Sequence, residues 1–214
     1  MYKGKEMKKL ILFDLDGTLV NSDRAHLVAF KKAFEKNGLK VEDKKVLELF
    51  GMLRRKIVKK LFKLNDKKVL EVVKDQDDFV VKETNSYSKV LKGVNKSLKV
   101  LKKKYILGIV SNSSKREILA LVRGSGLDKE LFSVVVGSDG LRGKPYADGI
   151  KKAEKILNKK CEYFIGDTTY DIIAGKRGKC ETIGVLSGNH SKKQLESVKP
   201  DFIVKDVSRL VRIL

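Results

Sequence analysis

Six short apolar segments recur along the chain, each bounded by glycine or polar residues and rich in aliphatic or β-branched side chains. Such segments are typical of buried strands. They lie at residues 9–13, 105–110, 133–136, 163–165, 182–186 and 202–204. Between most of them, apolar residues repeat every three or four positions, as at Val94, Leu98 and Leu101, which predicts amphipathic helices. Because alternating strands and helices form a parallel sheet with helices on both faces, we predict an α/β protein with a doubly wound, Rossmann-like core.

One interval departs from this alternation. Residues 20–88 contain no convincing strand, but their apolar residues have helical spacing, for example at Leu27, Phe30 and Phe34. We therefore expect an inserted α-helical subdomain at residues 20–88, with residues 1–19 and 89–214 forming the sheet core.

The charge of the chain is unusual, because 48 Lys and Arg residues against 27 Asp and Glu residues give a formal net charge of +21 over 214 residues. Such a balance raises nucleic acid as a partner. Residues 20–88, however, contain 17 basic and 11 acidic residues, or +6 over 69, and the other 145 residues carry the remaining +15. The positive charge is thus spread evenly, and basic motifs interleaved with aromatic residues are absent. A solvated lysine-rich surface is therefore favoured, and a nucleic-acid partner is not expected.

The apolar runs near the ends of the chain are short. Near the start, Leu10 to Phe13 is stopped by Asp14, far below the ~20 residues that span a bilayer and too short for the apolar part of a signal peptide. We therefore expect a cytoplasmic protein with no membrane partner.

Two carboxylates follow the first predicted strand, in the sequence Phe13-Asp14-Leu15-Asp16-Gly17-Thr18. The carboxyl ends of parallel strands are where α/β sheets bind ligands. The glycine allows a tight turn, and the threonine hydroxyl can donate to an anion. Asp-Gly is also a common turn signal, so this motif alone leaves a purely structural role open.

A second pair of carboxylates, Asp167 and Asp171, follows the predicted strand at 163–165 and a glycine. In the first turn of a helix, residues four apart face the same side. If neighbouring strands bring this pair beside Asp14 and Asp16, four carboxylates converge, and a cation is needed to offset their repulsion. Because oxygen ligands select a hard ion, Mg²⁺ is the predicted cofactor.

Hydroxyl, amide and ammonium groups follow two further strands. Ser111 and Asn112 precede a predicted helix, so that Ser111 can donate to a phosphoryl oxygen near the helix amino end. Lys144 lies in a short loop between a glycine and a proline, where its charge can neutralise a phosphate. Serines at such positions are also ordinary helix caps, and lysine is abundant in this chain, so each residue alone has a structural alternative.

Taken in order, the four segments resemble the four motifs of the haloacid dehalogenase superfamily, specifically those of its phosphatases. The resemblance covers nearly the whole chain. The matching residues are Asp14 and Asp16 for the DxDGT motif, Ser111 for the second motif, Lys144 for the third, and Asp167 with Asp171 for the GDxxxD motif. Residues 91–113 and 143–188 also resemble phosphoglycolate phosphatase-like members, and the insertion at 20–88 has the position of their helical cap.

This resemblance implies a two-step transfer of a phosphoryl group to water. Asp14 would attack phosphorus to form an aspartyl-phosphate, and Asp16 would protonate the leaving oxygen and then activate water. In this family Mg²⁺ is held by the side chains matching Asp14 and Asp167 and by the main-chain carbonyl at Asp16, with Asp171 supporting the ion. The residues implied to bind phosphate oxygens are Thr18, Ser111, Asn112 and Lys144.

Substrate choice would lie with the cap, which closes over the leaving group. Arg54 and Arg55 are candidates for contacting a substrate carboxylate or second phosphate, with solvent exposure as the alternative. His26 is more typical of a helix surface than of the cap entrance, and no partner is predicted for His190. We expect a small phosphorylated metabolite as the substrate, with phosphoglycolate as the first candidate.

Two alternatives stay open. A sugar phosphomutase of the same superfamily has the same site chemistry and differs in its cap. A non-catalytic, basic nucleic-acid-binding module would keep the fold without turnover, but it would not need the full set of reactive groups. That set comprises Asp14, Asp16, Ser111, Lys144 and Asp167.

Overall fold

The computed structural model describes residues 8–214, which contain two β-sheets. The strands are β1 (Lys9–Phe13), β2 (Val20–Asn21), β3 (Lys89–Val90), β4 (Tyr105–Val110), β5 (Val134–Val136), β6 (Cys161–Gly166), β7 (Glu181–Val185) and β8 (Phe202–Val204). The larger sheet has six parallel strands in the order β5-β4-β1-β6-β7-β8, and β2 pairs with β3 in a small antiparallel sheet. Residues 1–7, which the sequence analysis assigned to the core, lie outside the described residues.

Helices connect most of these strands. The α-helices are α1 (Asp23–Lys36), α2 (Asp43–Leu47), α3 (Arg54–Leu61), α4 (Asp66–Phe79), α5 (Val94–Lys104), α6 (Lys115–Ser125), α7 (Asp148–Leu157), α8 (Thr169–Gly178) and α9 (Lys192–Ser197). A π-helical segment at Val80–Thr84 follows α4, and 3-10 helices lie at Asn85–Tyr87, Lys129–Leu131 and Val207–Arg212. Within residues 8–214, no helix combines the length and the apolar character needed to cross a membrane.

The central strand β1 is buried on both faces of the sheet. Leu10, Ile11, Leu12 and Phe13 have no exposed surface. Because successive residues of a strand point to opposite faces, Ile11 and Phe13 pack with α5 and α6, whereas Leu10 and Leu12 pack with α7 and α8. A continuous apolar run is what a strand covered on both sides requires. The predicted doubly wound α/β fold is confirmed.

The six predicted strands of the larger sheet are confirmed, with ends that differ from the predicted ones by two residues at most. β2, however, lies inside the interval 20–88, for which no strand was predicted, and it pairs with β3 at the far end of that interval. A strand of two residues is too short to produce an alternating pattern, and its partner is distant in sequence. The pairing ties together the two connections between the inserted helices and the larger sheet.

Helices α1 to α4 lie between β2 and β3 and have a hydrophobic cluster of their own. Phe30 and Phe34 of α1 pack there with Phe50, Val58 of α3 and Val72 of α4. This cluster is separate from the two that cover the faces of the larger sheet. On this basis we propose that residues 20–88 form a distinct cap, and this segment is called the cap below.

Candidate active site

The carboxyl ends of β1, β4 and β6 lie side by side, because β1 is hydrogen-bonded to both neighbours. Asp14 follows β1, Ser111 follows β4 and Asp167 follows β6. The backbone amide of Asp14 still donates to the carbonyl of Ile165 at 2.8 Å, so the chain stays attached to β6 at the first carboxylate. The sheet topology thus brings three of the predicted motifs to one edge.

Gly17 lets the loop after β1 approach the loop after β6. Its φ is +75°, and a Cβ at this position would lie 2.5 Å from Oδ2 of Asp167. Both the left-handed backbone and the close approach therefore require glycine. The next residue, Thr18, is fully buried and donates from Oγ1 to Oδ1 of Asp167 at 2.9 Å. The predicted phosphate ligand Thr18 thus holds a carboxylate in place in this structure.

Three buried carboxylates, those of Asp14, Asp167 and Asp171, offer oxygens that all lie within 4.8 Å of one another. If neighbouring strands aligned the two pairs, four carboxylates were predicted to converge; the group that forms contains three and does not include the side chain of Asp16. Its two oxygens accept hydrogen bonds from Ser22 and from hydroxyls that follow β4, outside the cluster. The carboxylate cluster below means Asp14, Asp167 and Asp171.

Lys144 lies against this cluster. Its Nζ is 2.7 Å from Oδ1 of Asp14 and 2.7 Å from Oδ1 of Asp171, and its side chain is 4% exposed. Burial alone would lower the pKa of Lys144, but the charges of Asp14 and Asp171 raise it above its ordinary value. The lysine is therefore cationic, and one positive charge faces three carboxylates.

This imbalance of charge makes the carboxylate cluster a candidate cation site. Burial, followed by repulsion from Asp171, raises the pKa of Asp167 to about 7. Burial also raises the pKa of Asp14 well above its usual range, although Lys144 opposes the shift. The positive charge around Asp14 and Asp167 is therefore too small to stabilise both in their ionised form. Since the donors are all carboxylate oxygens, the residues fit a hard divalent cation.

Without a divalent cation, the free energy of unfolding should fall as the pH rises from about 4 to about 7. Asp167 titrates near 3.9 in an unfolded chain but at about 7 in the folded protein. In this window the folded state therefore binds the proton more tightly, and it loses that advantage on deprotonation. The expected loss is on the order of a few kcal/mol, at ~1.4 kcal/mol per pKa unit.

Chemical denaturation across this pH range, in EDTA and in Mg²⁺, measures the effect. The cation should flatten the profile because it binds the deprotonated carboxylates. Asp167→Asn should make the decline in EDTA shallower for a different reason, since one of the two carboxylates with a raised pKa is gone and only Asp14 remains. An equally steep decline in EDTA, in Mg²⁺ and in the variant would contradict a cation site at this cluster.

Asp16 lies in a separate set of hydrogen bonds. Its Oδ1 accepts from Ser22 Oγ at 2.5 Å and contacts His26 Nε2 at 3.0 Å, and its Oδ2 accepts from Ser111 Oγ at 3.1 Å and Ser113 Oγ at 3.3 Å. Burial alone would raise the pKa of Asp16, but His26 and Ser22 hold it below its ordinary value. In this structure the Ser111 hydroxyl therefore orients a carboxylate.

His26 is buried, so its interpretation as a helix-surface residue is wrong. Besides Asp16, it contacts Oε1 of the fully buried Glu117 through Nδ1 at 3.3 Å. Burial alone would lower the pKa of His26, but the two carboxylates raise it to about 10. The sequence holds a signal only for the contact with Asp16: Ser22 and His26 are four residues apart, so they lie one helical turn from each other, and both reach Oδ1 of Asp16.

Glu117 is a second residue that the sequence analysis missed. It belongs to a capping box at the start of α6, in which Ser114 Oγ accepts from the Glu117 amide. The Ser-x-x-Glu pattern predicts the capping box at the start of the helix. It does not show that side chains of the inserted helices bind the same carboxylate. Glu117 is contacted by Arg54 and accepts from Gln76 at 3.0 Å.

The two candidate arginines of the cap differ in position. Arg54 is nearly buried, with a side chain 11% exposed, and it contacts Glu117 and, at 3.1 Å, Oδ1 of Asp77. The alternative of solvent exposure is therefore wrong for Arg54. Arg55 is exposed and lines a groove between the cap and the loop at 138–142.

The side chain of Asn112 links the cap to the loop that holds Lys144. Its Nδ2 donates to the carbonyl of Gly51 at 2.9 Å and to that of Lys144 at 3.3 Å, and its Oδ1 accepts from the Lys144 amide at 2.7 Å. This side chain, predicted to bind phosphate, has its hydrogen-bonding groups occupied by backbone. His190, for which no partner was predicted, accepts through Nδ1 from the Thr169 amide at 3.1 Å.

A cavity of about 50 Å³ lies where these groups meet. Its polar lining comes from the loops after β1, β4, β6 and β7, from the loop that holds Lys144, and from the cap. Its apolar lining comes from the cap. The residues that line it include Asp14, Asp16, Asp23, His26, Phe30, Phe50, Met52, Arg54, Ile57, Ser111, Asn112 and Lys144. A carboxylate in contact with a lysine and a second carboxylate line this cavity, beside a candidate cation site, and phosphoryl transfer can use groups of these kinds.

Comparison with known proteins agrees with this chemistry. The haloacid dehalogenase-like hydrolase family matches residues 11–185. A protein of Bacillus cereus named pyrophosphatase PpaX is 30% identical over 211 residues, covering 95% of each chain. One of the same name from Oceanobacillus iheyensis is 24% identical over 209 residues, covering 96% of each.

Solved structures show the same fold. A hydrolase from Pseudomonas syringae has a TM-score of 0.82 at 23% identity, over 96% of this chain and 97% of that one. A protein described as a predicted phosphoglycolate phosphatase from Haemophilus somnus has a TM-score of 0.82 at 25% identity, over 98% and 99%. The chain belongs to the haloacid dehalogenase-like hydrolase family. Within that family it is an enzyme of the phosphatase type.

Proposed function

We propose that this enzyme hydrolyses small phosphomonoesters through an aspartyl-phosphate on Asp14, with Mg²⁺ as its cofactor. The observation that carries the proposal is the contact between Asp14 and Lys144, 2.7 Å apart in a cavity that Asp16 also lines. A nucleophile, a charge for the phosphoryl oxygens and a proton-transfer group thus surround one small space.

Two contacts fix the side chain of Asp14, the proposed nucleophile. Its Oδ1 accepts from the Leu15 amide at 2.7 Å and contacts Lys144 Nζ at the same distance. In the first step an oxygen of Asp14 forms a bond to phosphorus while the bond from phosphorus to the alcohol oxygen breaks. Dividing the displacement into two steps lowers the barrier of each.

Asp16 is the proposed acid and base. Because Asp16 is ionised beside protonated His26, the proton passes from His26 to Asp16 and from Asp16 to the departing alcohol oxygen in the first step. In the second step Asp16 takes a proton from water, whose oxygen bonds to phosphorus as the bond to Asp14 breaks and phosphate is released. His26, 3.0 Å from Asp16, is the neighbouring titratable group able to share this proton.

Asp14, Asp167 and Asp171 would hold the cation, with the main-chain carbonyl of Asp16 as a further proposed ligand. When bound, Mg²⁺ supplies positive charge that offsets the nucleophile and the phosphoryl oxygens. Lys144 and the hydroxyl of Ser111, which line the same cavity, are the proposed donors to those oxygens as charge builds on them.

The size of the cavity supports a small substrate. One water needs roughly 10–15 Å³ of such space, and the cavity measures about 50 Å³. A phosphoryl group with a few further atoms therefore fits beneath the cap. The names of the relatives, pyrophosphatase and phosphoglycolate phosphatase, also point to small phosphorylated substrates.

Asp16→Asn tests the assignment of the acid. Single-turnover release of alcohol should slow about 10²- to 10⁴-fold for alkyl phosphates, the usual contribution of general acid catalysis. The loss should be much smaller for p-nitrophenyl phosphate, because nitrophenolate departs without a proton. Stopped-flow and quench assays of both substrates, with the native enzyme in EDTA as a control that loses both, give the comparison. An equal loss for both leaving groups would assign the proton to another residue.

A further inference from the structure

The cap supplies an apolar part of the active-site cavity. Phe30, Phe50, Met52 and Ile57 all line it. Phe30 is 1% exposed, Phe50 6% and Ile57 2%, so little of their surface meets solvent. If the phosphoryl group binds at Asp14 as proposed, the leaving group must occupy the space that these side chains border.

The cap also brings a guanidinium to the cavity, and that charge is already matched. Arg54 contacts Oδ1 of Asp77 at 3.1 Å and Oε2 of Glu117. Asp77 and Glu117 are 14% and 0% exposed at their side chains, so both pairs are shielded from water. Moving Arg54 onto a ligand would leave Glu117 buried without that partner, which is costly.

His26 also lines the cavity, and carboxylates balance its positive charge as they balance that of Arg54. His26 lies between Asp16 at 3.0 Å and Glu117 at 3.3 Å. Arg116 also pairs with Asp77, at 3.1 Å. Three cations, Arg54, His26 and Arg116, thus face the three carboxylates of Asp16, Glu117 and Asp77, and none of these cations is left for a ligand. Asp23 also lines the cavity and adds a further carboxylate. A second anionic group on the substrate would therefore meet excess negative charge and an apolar wall.

We propose that this enzyme selects phosphomonoesters whose leaving alcohol is small, uncharged and partly apolar, and that it discriminates against a carboxylate or a second phosphate on the leaving group. The inference rests on the proposed phosphatase function and narrows its substrate class. It places phosphoglycolate and inorganic pyrophosphate, whose leaving groups are anionic, below neutral esters of similar size.

A matched pair of substrates tests the charge alone. Phosphoglycolate and its carboxamide have nearly the same shape and differ by one negative charge at physiological pH. With the native enzyme and Mg²⁺, kcat/KM for the carboxamide should exceed that for phosphoglycolate by about tenfold or more, since juxtaposed like charges are strongly unfavourable. Pyrophosphate should be hydrolysed no faster than phosphoglycolate.

Asp77→Asn changes the balance of charge around Arg54 without altering Asp14, Asp16 or His26. It removes one of the two carboxylates on Arg54, so kcat/KM for phosphoglycolate relative to the carboxamide should rise several-fold, by roughly the effect of one partly screened charge. Asp78→Asn is the matched control. Asp78 pairs with Lys74 at 3.3 Å and with Arg116 at 2.6 Å, whereas Arg54 pairs with Asp77 and Glu117, so this variant should leave the ratio unchanged.

The outcomes separate this inference from the proposed function. Turnover of phosphoglycolate or pyrophosphate at or above the carboxamide, lost selectively in Arg54→Gln, would overturn the inference and show that Arg54 leaves its carboxylates for the substrate. Turnover of all esters without preference would also overturn it while leaving the phosphatase function standing. Absence of hydrolysis by folded, Mg²⁺-loaded enzyme would overturn both.

Discussion

Asp14→Asn should lower kcat for every phosphomonoester by roughly 10⁴-fold or more, the scale seen when a covalent nucleophile is removed. The amide keeps the shape of the carboxylate but cannot form the bond to phosphorus. The fold should survive, because the change removes one of three carboxylates that repel one another around Lys144. Phosphate release from a panel of esters, with thermal unfolding measured in parallel, gives the result.

The thermal measurement makes the prediction specific. In EDTA the variant should unfold at the same temperature as the native enzyme or higher, since burial and neighbouring carboxylates already penalise the charged form of Asp14. Loss of activity with a large fall in stability would instead indicate a structural role. Retention of more than about one-tenth of the native kcat would exclude Asp14 as the nucleophile, because one-tenth corresponds to only ~1.4 kcal/mol of barrier.

Lys144→Met should impair both stability and turnover. Removing one partner from a buried ion pair leaves uncompensated charge and typically costs about 3–5 kcal/mol. Here the side chain of Lys144 is 4% exposed and touches two carboxylates, so a loss of this size is expected in EDTA. Turnover should fall by about 10²- to 10³-fold even in saturating Mg²⁺, because a charge aimed at the phosphoryl oxygens is gone.

Mg²⁺ separates these two effects. The ion should restore much of the lost stability by binding the carboxylate cluster, but it should not restore turnover. Lys192→Met is the control, since its pair with Glu196 is exposed on both sides and such pairs contribute about 0–1 kcal/mol. Equal stability losses in the two variants, or full recovery of activity by Mg²⁺, would contradict the role assigned to Lys144.

The strands of the larger sheet could be predicted because each depends on its own residues. A run such as Leu10 to Phe13 has to be buried on both sides, and a parallel sheet with two layers of helices is the arrangement that buries it. The positions of Asp14, Ser111 and Asp167 at strand ends followed from the same pattern. The two-residue strands β2 and β3 could not be found, since pairing between distant residues leaves no local periodicity.

The contacts among polar residues were harder to predict from the sequence. His26 and Arg54 sit in amphipathic helices where an exposed position suits either side chain, and the sequence does not show that both meet Glu117 from the other side of the cavity. Asn112 follows a motif residue, yet its hydrogen bonds go to the backbone of Gly51 and Lys144. Each of these contacts joins segments that only the packing of the cap on the sheet brings together.

The sequence by itself determined the layered α/β architecture, the helical character of the insertion and the chemical identity of the reactive groups. These are set by hydrophobic periodicity and by residue type at strand ends, both of which act over a few neighbouring positions. The tertiary structure alone decided that three carboxylates and not four converge, and that Arg54 and His26 are neutralised by buried carboxylates. Charge interactions act through space at a few ångströms, so their sign and strength at the site depend on distances that the order of residues does not contain.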